Sequence, residues 1–185
     1  MYFVRIPKLK EDYLIMPFNA KSGKFNASIN AVEIGTGDKK ITIGGENTLP
    51  FYTFDAPVEN APKVGIEVTD FGMDHEPDCV KKYYEGCTTV VDMAKKAAEM
   101  EGVDFLSIRL EGGDPNGANK STEELVQLVK DVAAAVDLPL VVCGCKNAEK
   151  DAELLAKAAE ALEGKNAVLL ASKEENYKAV GAAAG

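Results

Sequence analysis

Apolar and polar residues alternate along two stretches of the chain, residues 64–70 and 103–110. The aliphatic positions are Val64, Ile66, Val68, Leu106, Ile108 and Leu110, and the positions between them include Glu67, Thr69, Ser107 and Arg109. A period of two is typical of a β-strand with one apolar and one polar face. We therefore predict two strands that bury only one face against helices.

The same part of the chain repeats a strand followed by a helix four times. The predicted strands are 64–70, 103–110, 138–143 and 167–171, and the predicted helices are 78–100, 121–136, 148–162 and 174–184. Ser121 and Glu124 have the spacing of a capping box, which marks a helix start. Successive strands begin about 34 residues apart, a spacing that suits right-handed crossovers between parallel strands.

Two architectures share this alternation, the doubly wound sheet and the (β/α)8 barrel. Strands of a doubly wound sheet are covered on both faces and are apolar on both, a pattern that Glu67 and Arg109 do not fit. The sequence therefore favours an α/β fold of the (β/α)8 TIM-barrel type. A full barrel needs eight units in about 250 residues, and only the first four are present. We expect a truncated chain, or a partner that completes the sheet.

The residues before the first of these strands show a different pattern. Val32–Ile34 and Lys40–Ile43 are short β-type runs, and Gly35–Asp38 between them has the composition of a hairpin turn. An aromatic segment at 49–54 and a proline-bounded linker at 57–62 follow. We predict an N-terminal β-hairpin arm that precedes the barrel units.

The composition is typical of a folded globular protein. At 185 residues and 19.8 kDa the chain has the size of one domain, which we divide into an extended or hairpin prelude, 1–62, and the half-barrel, 63–185. Hydrophobic residues make up 46%, enough for a core. The net charge of −9 disfavours nucleic acid and anionic membranes as partners.

Residues that bind metals are scarce. The four cysteines include no C-x-x-C pair, and His75, the single histidine, follows an aspartate in a polar loop where we expect it to be solvated. Zinc and iron-sulfur ligation both fit this composition poorly. Because the start lacks a basic region followed by an apolar run, and no run has membrane-spanning length, we expect a cytoplasmic protein.

Candidate binding residues follow the predicted strands. Ligands of α/β folds bind beyond the carboxyl ends of the strands. That rule nominates Asp70, Asp114, Asn116, Ser172 and the loop 144–147. Asp70 would either orient a ligand or cap the segment that follows it. Residues 114–117 also have the composition of an ordinary turn.

The remaining polar residues do not form a recognisable catalytic set. Glu67 and Arg109 point the same way from neighbouring strands, which predicts a buried ion pair that fills the lumen. Glu111 has the chemistry of a general acid or base, but no second group supports that role. Cys143 and Cys145 fit core positions better than a thiolate role. We therefore expect a binding or scaffolding subunit.

Several strings of the sequence resemble one family. They are residues 42–54 (TIGGENTLPFYTF), 62–70 (PKVGIEVTD), 114–119 (DPNGAN), 138–151 (LPLVVCGCKNAEKD) and 175–178 (ENYK). In order and spacing they are similar to the small (delta) subunit of the corrinoid iron-sulfur protein of the acetyl-CoA decarbonylase/synthase system. The resemblance covers about residues 32–185, and residues 1–31 match nothing we can place.

The resemblance implies a non-catalytic TIM barrel, akin to pterin-binding methyltransferases, in a heterodimer with a large subunit. That partner would carry the iron-sulfur cluster and a cobalamin (corrinoid) domain, so this chain would hold no cluster. The pair would pass a methyl group from methyl-tetrahydropterin, through a methyltransferase, to acetyl-CoA synthase/CO dehydrogenase in the reductive acetyl-CoA (Wood–Ljungdahl) pathway. The alternative is a pterin-binding, dihydropteroate-synthase-like methyltransferase.

The resemblance also suggests which residues face the corrinoid. They belong to the strand-end loops and are Asp70, Asp114, Asn116, Asn119 and Asn147. No Asp-x-His-x-x-Gly string, which ligates cobalt in corrinoid proteins, is present; residues 74–77 are Asp-His-Glu-Pro. We therefore expect the cofactor to be held by the partner, and we expect neither a catalytic nor a metal-binding residue in this chain.

Overall fold

The computed structural model describes residues 26–47 and 59–185. Its strands are β1 Val32–Ile34, β2 Ile41–Ile43, β3 Gly65–Thr69, β4 Phe105–Arg109, β5 Leu140–Cys143 and β6 Val168–Leu170. Its helices are α1 Asp78–Tyr83, α2 Val90–Ala98, α3 Thr122–Ala135, α4 Ala148–Ala161 and α5 Tyr177–Ala184. Within the described ranges no helix has the length and apolar character needed to cross a membrane. The aromatic segment at 49–54 and most of the predicted prelude lie outside them.

Strands β3 to β6 form one parallel sheet in the order β3-β4-β5-β6, so each strand pairs with the next one along the chain. The register places Val68 beside Ile108 and Ile108 beside Val142. The predicted α/β fold with four parallel strands is confirmed. A sequential order counts against the doubly wound alternative, in which the strand order reverses at a switch point. Closure into a barrel stays a prediction.

One face of this sheet carries the hydrophobic core. The strand residues that share a cluster with buried side chains of α2 to α5 are Ile66, Val68, Leu106, Ile108, Leu140, Val142 and Leu169, and Leu110, directly after β4, belongs to the same cluster. The residues between them, among them Glu67, Ser107 and Arg109, do not belong to this cluster. In the described part of the chain, helices therefore pack on a single face of the sheet, as the alternation predicted.

The single helix predicted over 78–100 is wrong, because the chain forms two helices there. Helix α1 ends at Tyr83, and Gly86, with a φ of +89°, lies in the turn that follows it. Helix α2 then starts at a new cap, in which the Thr89 hydroxyl accepts from the Asp92 backbone N–H at 3.1 Å and the Asp92 carboxylate accepts from the Thr89 N–H at 3.0 Å. This capping box was not predicted from the sequence.

The predicted hairpin is confirmed, and it lies at the amino-terminal end of the sheet. Strands β1 and β2 pair antiparallel. The Gly35 N–H donates to the carbonyl of Asn166 at 2.8 Å, and the Asn166 side-chain amide donates to the carbonyl of Glu33 at 2.9 Å. Gly35 has a φ of +81° and lies against Pro139, just before β5. The hairpin thus leaves the opposite end of the sheet, where the strands end, uncovered.

Candidate functional site

The carboxyl ends of β3 to β6 meet at one edge of the sheet, and the predicted binding residues follow these ends. Asp70 follows β3, the loop with Asp114, Asn116 and Asn119 follows β4, and Asn147 follows β5. The described structure shows what each of these side chains contacts. Their assignment to a corrinoid stays a prediction.

Asp70 holds the loop that follows the neighbouring strand. Its carboxylate is fully buried, accepts from the backbone N–H of Gly112 at 3.0 and 3.1 Å, and forms an ion pair with the Lys120 ammonium at 2.9 Å. Lys120 also donates to the Asp70 carbonyl at 2.8 Å, and its N–H donates to the Gly112 carbonyl at 2.7 Å. Asp70 therefore fixes both ends of this loop, and caps no helix of its own.

The loop itself is a turn, as its composition predicted. The Asp114 carboxylate accepts from the Asn116 N–H at 2.9 Å, and the Asn119 N–H donates to the Asp114 carbonyl at 3.1 Å. Asn119 adopts a left-handed φ of +48°, which asparagine tolerates better than most residues. Asn116 and Asn119 are both exposed at the surface. Their side chains are accessible to a partner.

Asn147 caps helix α4. Its side-chain oxygen accepts from the Lys150 backbone N–H at 3.0 Å, the usual role of asparagine at a helix start. The side chain is half-buried. A ligand at this position would contact a residue that already has a structural role.

A second buried carboxylate, which sequence reasoning missed, anchors the loop after β5. Asp151 is 2% exposed, and its Oδ1 accepts from the Cys145 N–H at 2.7 Å. Gly144 leaves no room for a side chain, because a Cβ there would lie 2.7 Å from Oδ2 of Asp151 and closer still to Oδ1. The signal available in the sequence was a glycine in a strand-end loop with an aspartate in the first turn of the next helix.

The predicted ion pair between β3 and β4 is present on the open face of the sheet. Arg109 donates to both carboxylate oxygens of Glu67, at 2.9 and 2.7 Å. These hydrogen bonds raise the pKa of the Arg109 guanidinium above its usual value. The side chains are 29% and 39% exposed, so the prediction of a buried pair is wrong for this chain, in which no described helix covers that face.

A cavity of about 240 Å³ opens between the ends of β4, β5 and β6. Its lining residues are Arg109, Cys143, Gly144, Lys146, Asp151, Leu170, Ala171 and Lys173. Ser172 lies between two of these positions and is exposed. The loop 144–147 and the end of β6 are therefore brought together, as the strand-end rule predicted.

Residues 31–185 match the family model of the CO dehydrogenase/acetyl-CoA synthase delta subunit. The chain belongs to this family. The range agrees closely with the residues that carry the resemblance in the sequence.

Relatives from three organisms carry the name of the same subunit. The delta 1 subunit of the acetyl-CoA decarbonylase/synthase complex of Methanosarcina thermophila is 35% identical over 96% of this chain. The delta subunits of Archaeoglobus fulgidus and Methanothermobacter thermautotrophicus are 37% and 33% identical over 75% and 90% of it. The match over 96% takes in most of residues 1–31, which the sequence strings alone had not placed.

The chain spans only part of the length of these relatives. It covers 42% of the Methanosarcina thermophila subunit, 30% of the Archaeoglobus subunit and 43% of the Methanothermobacter subunit. Each of the three is named as a subunit of an acetyl-CoA decarbonylase/synthase complex.

The cysteines of this delta-family chain lie in different surroundings. Cys145 is 3% exposed, and burial raises the pKa of its thiol to about 11. Cys143 is half-buried, with its Sγ 3.5 Å from the Ser107 hydroxyl, and Cys79 is exposed. The core interpretation is confirmed for Cys145.

We expect Cys145 to resist alkylation in the folded chain. The thiolate is the reactive form, and at pH 8 a thiol with a pKa near 11 is almost entirely protonated. Iodoacetamide labelling followed by peptide mass spectrometry should modify Cys79 at least tenfold faster than Cys145 in the native protein. The two rates should converge in denaturant. Equal native rates would contradict the buried placement of Cys145.

Proposed function

We propose that the chain is the first half of a non-catalytic TIM-barrel subunit that helps transfer a methyl group from a methyl-tetrahydropterin to acetyl-CoA synthase. The transfer would take place in the reductive acetyl-CoA pathway, on a corrinoid held by a large iron-sulfur subunit. The observation that carries the proposal is the family match over residues 31–185. The names of the relatives, all subunits of one complex, support the assembly.

The sheet supports the barrel part of the proposal. Its strands are parallel and sequential, and the described helices pack on one face, which is the arrangement of four consecutive units of a (β/α)8 barrel. The polar face with Glu67 and Arg109 would then line the lumen. Four further units would cover this face and bury the ion pair more deeply.

The carboxylates at the strand ends support a non-catalytic role. A general acid or base must reach the proton that it transfers. Asp70 and Asp151 are buried and are bound to backbone N–H groups of neighbouring loops. Glu111 lies 3.2 Å from the Lys146 ammonium and 3.8 Å from Arg109. In the described part of the chain these acids have structural partners and form no acid–base pair.

The strand-end surface fits the edge of a corrinoid better than it fits the whole group. The cavity of about 240 Å³ is smaller than the roughly 300 to 1,000 Å³ of pockets that enclose drug-sized ligands, and a corrinoid is larger than these. The exposed amides of Asn116 and Asn119 could pair with the amide groups around a corrin ring. When bound, the cobalt of the corrinoid supplies the methyl-transfer chemistry, and this chain's residues would position and cover the cofactor.

Co-purification tests this assignment. The chain is co-expressed anaerobically with a large corrinoid iron-sulfur subunit, and size-exclusion fractions are assayed for both chains and for corrinoid absorbance. We expect co-elution in a 1:1 complex. Replacing Asn116 with alanine and Asn119 with glycine, which tolerates the left-handed φ of this position, should weaken the complex about tenfold. Asn30→Ala, in the segment before the hairpin, should not. Separate elution of the unmodified chains would overturn the proposal.

Calorimetry with methyl-tetrahydrofolate separates the subunit from a pterin-binding methyltransferase. The enzyme alternative relied on Asp70, Asp114 and Asn116 to bind a pterin, but Asp70 is buried against Gly112 and Lys120. We therefore expect no heat of binding to the isolated chain. Saturable micromolar binding would favour the enzyme instead.

A further inference from the structure

A groove of about 450 Å³ lies between helices α2 and α3 at the surface of the chain. Aliphatic side chains of both helices line it, namely Val90, Val91, Leu125 and Leu128. All of these except Leu125 are only half-buried, so they offer apolar surface to a partner. Among the described residues no ion pair joins α2 to α3 across the groove.

The wall that α3 contributes to this groove is acidic. Glu124 and Asp131 line the groove and are exposed, and neither forms an ion pair with a described residue. Asp131 accepts only from the neutral Gln127 amide, at 2.8 Å. The other two charged lining residues, Asp70 and Lys120, pair with each other at 2.9 Å. One cation against three carboxylates leaves the lining with two uncompensated negative charges.

The spacing of the two unpaired carboxylates is regular. Glu124 and Asp131 are seven residues apart in α3, which is two helical turns, or about 10.5 Å along the helix axis. Residues seven apart lie on the same side of a helix. The groove therefore presents a strip of apolar surface with a negative charge at two points along one edge.

We propose that this groove binds an amphipathic helix of a partner protein, with basic residues along one flank of that helix. The apolar stripe of the helix packs on Val90, Val91 and Leu128. Two lysines or arginines seven positions apart, on the flank toward α3, pair with Glu124 and Asp131. Insertion of an amphipathic helix into an apolar groove is a recurring mode of recognition, and the charge of the groove selects a basic helix over an acidic one. The proposal goes beyond the proposed function and does not depend on it.

A designed peptide tests the groove. The probe is a fluorescently labelled peptide of about 18 residues, long enough to form a helix, with leucines at i, i+4 and i+7 and two lysines seven positions apart on one flank. Fluorescence anisotropy with the 185-residue chain should show saturable binding. Binding should be about tenfold weaker in Glu124→Gln/Asp131→Asn, because two exposed ion pairs are lost. It should also weaken as the salt concentration rises.

Glu149→Gln/Glu160→Gln is the matched control, because it removes the same number of negative charges from another helix. Both glutamates are exposed on α4 and lie outside the groove, and Glu149 is in the first turn of its helix, as Glu124 is. This variant should bind the peptide like the unmodified chain. A second peptide, with glutamates in place of the two lysines, should not bind the unmodified chain.

Several results would overturn the proposal. They are a lack of saturable binding, equal binding of the lysine and glutamate peptides, and equal losses in the two double variants. A chain that is dimeric when unmodified and monomeric in Glu124→Gln/Asp131→Asn would show that a second copy occupies the groove, which would also overturn it. Circular dichroism melting confirms that each variant is folded. Co-elution with the large subunit is a separate measurement, so the proposed function and the groove can fail independently.

Discussion

Replacing Asp70 with alanine should lower the free energy of unfolding by about 3 kcal/mol. The change leaves the buried N–H of Gly112 without its acceptor, which costs about 1–3 kcal/mol, and it leaves the Lys120 ammonium without its ion-pair partner. Removing one partner of a fully buried pair costs about 3–5 kcal/mol, and the 24% exposure of Lys120 lowers that figure. For a chain of this length the melting temperature should fall by about 6–12 °C.

A double-mutant cycle isolates the contribution of the pair. Lys120→Met alone leaves a buried carboxylate that still accepts from Gly112, and Asp70→Ala/Lys120→Met removes both charges. We expect the double variant to be more stable than the sum of the single changes predicts, as for residues in direct contact. Hydrogen exchange should show faster exchange at Gly112 and Lys120 in Asp70→Ala. A loss below about 1 kcal/mol would show that Asp70 does not hold the loop.

The regular elements of this protein could be predicted because their signals are local. In strands β3 and β4 the alternation of apolar and polar residues shows which face is apolar. The start of α3 is marked by Ser121, whose hydroxyl accepts from the Glu124 N–H at 3.2 Å. The turn residues between β1 and β2 predicted the hairpin. Where the prediction failed, between α1 and α2, the competing signal was also local: Gly86 and the Thr89 cap interrupt an otherwise continuous helical pattern.

The contacts that shape the site could not be predicted, because they join residues far apart in the sequence. Asp70 reaches Gly112 across 42 positions, a pairing that depends on the register of β3 against β4. The sequence placed Asp70 at a strand end and left two interpretations open, a ligand contact or a local cap. The observed role, holding the next loop, requires the neighbouring strand to be in place first.

The sequence could predict which face of the sheet carries the Glu67–Arg109 ion pair, but it could not predict how exposed the pair is. Strand alternation puts both side chains on one face, and adjacent parallel strands bring them within hydrogen-bond distance. How deeply they are buried depends on what covers that face. Within the described residues no helix covers it. Water therefore screens the two charges, and such a pair contributes only about 0–1 kcal/mol to the free energy of unfolding.

Replacing Gly144 with alanine should also destabilise the fold by about 3 kcal/mol. The new Cβ would lie 2.7 Å from Oδ2 of Asp151 and closer to Oδ1. Because Asp151 is buried in α4 and bound to the Cys145 N–H at 2.7 Å, it cannot move aside without losing that hydrogen bond. Overpacking costs about 1–3 kcal/mol, and the lost hydrogen bond adds about 1 kcal/mol. Chemical denaturation measures the difference.

Gly181→Ala is the matched control, because it makes the same change where there is space. Gly181 lies within α5, has no atom outside its own helix backbone within 4 Å of the place that a methyl group would take, and does not need a positive φ. Alanine is favoured over glycine inside a helix by about 0.5–1 kcal/mol, so this variant should be slightly more stable than the unmodified chain. A loss below about 1 kcal/mol in Gly144→Ala would contradict the close contact between this position and the Asp151 carboxylate.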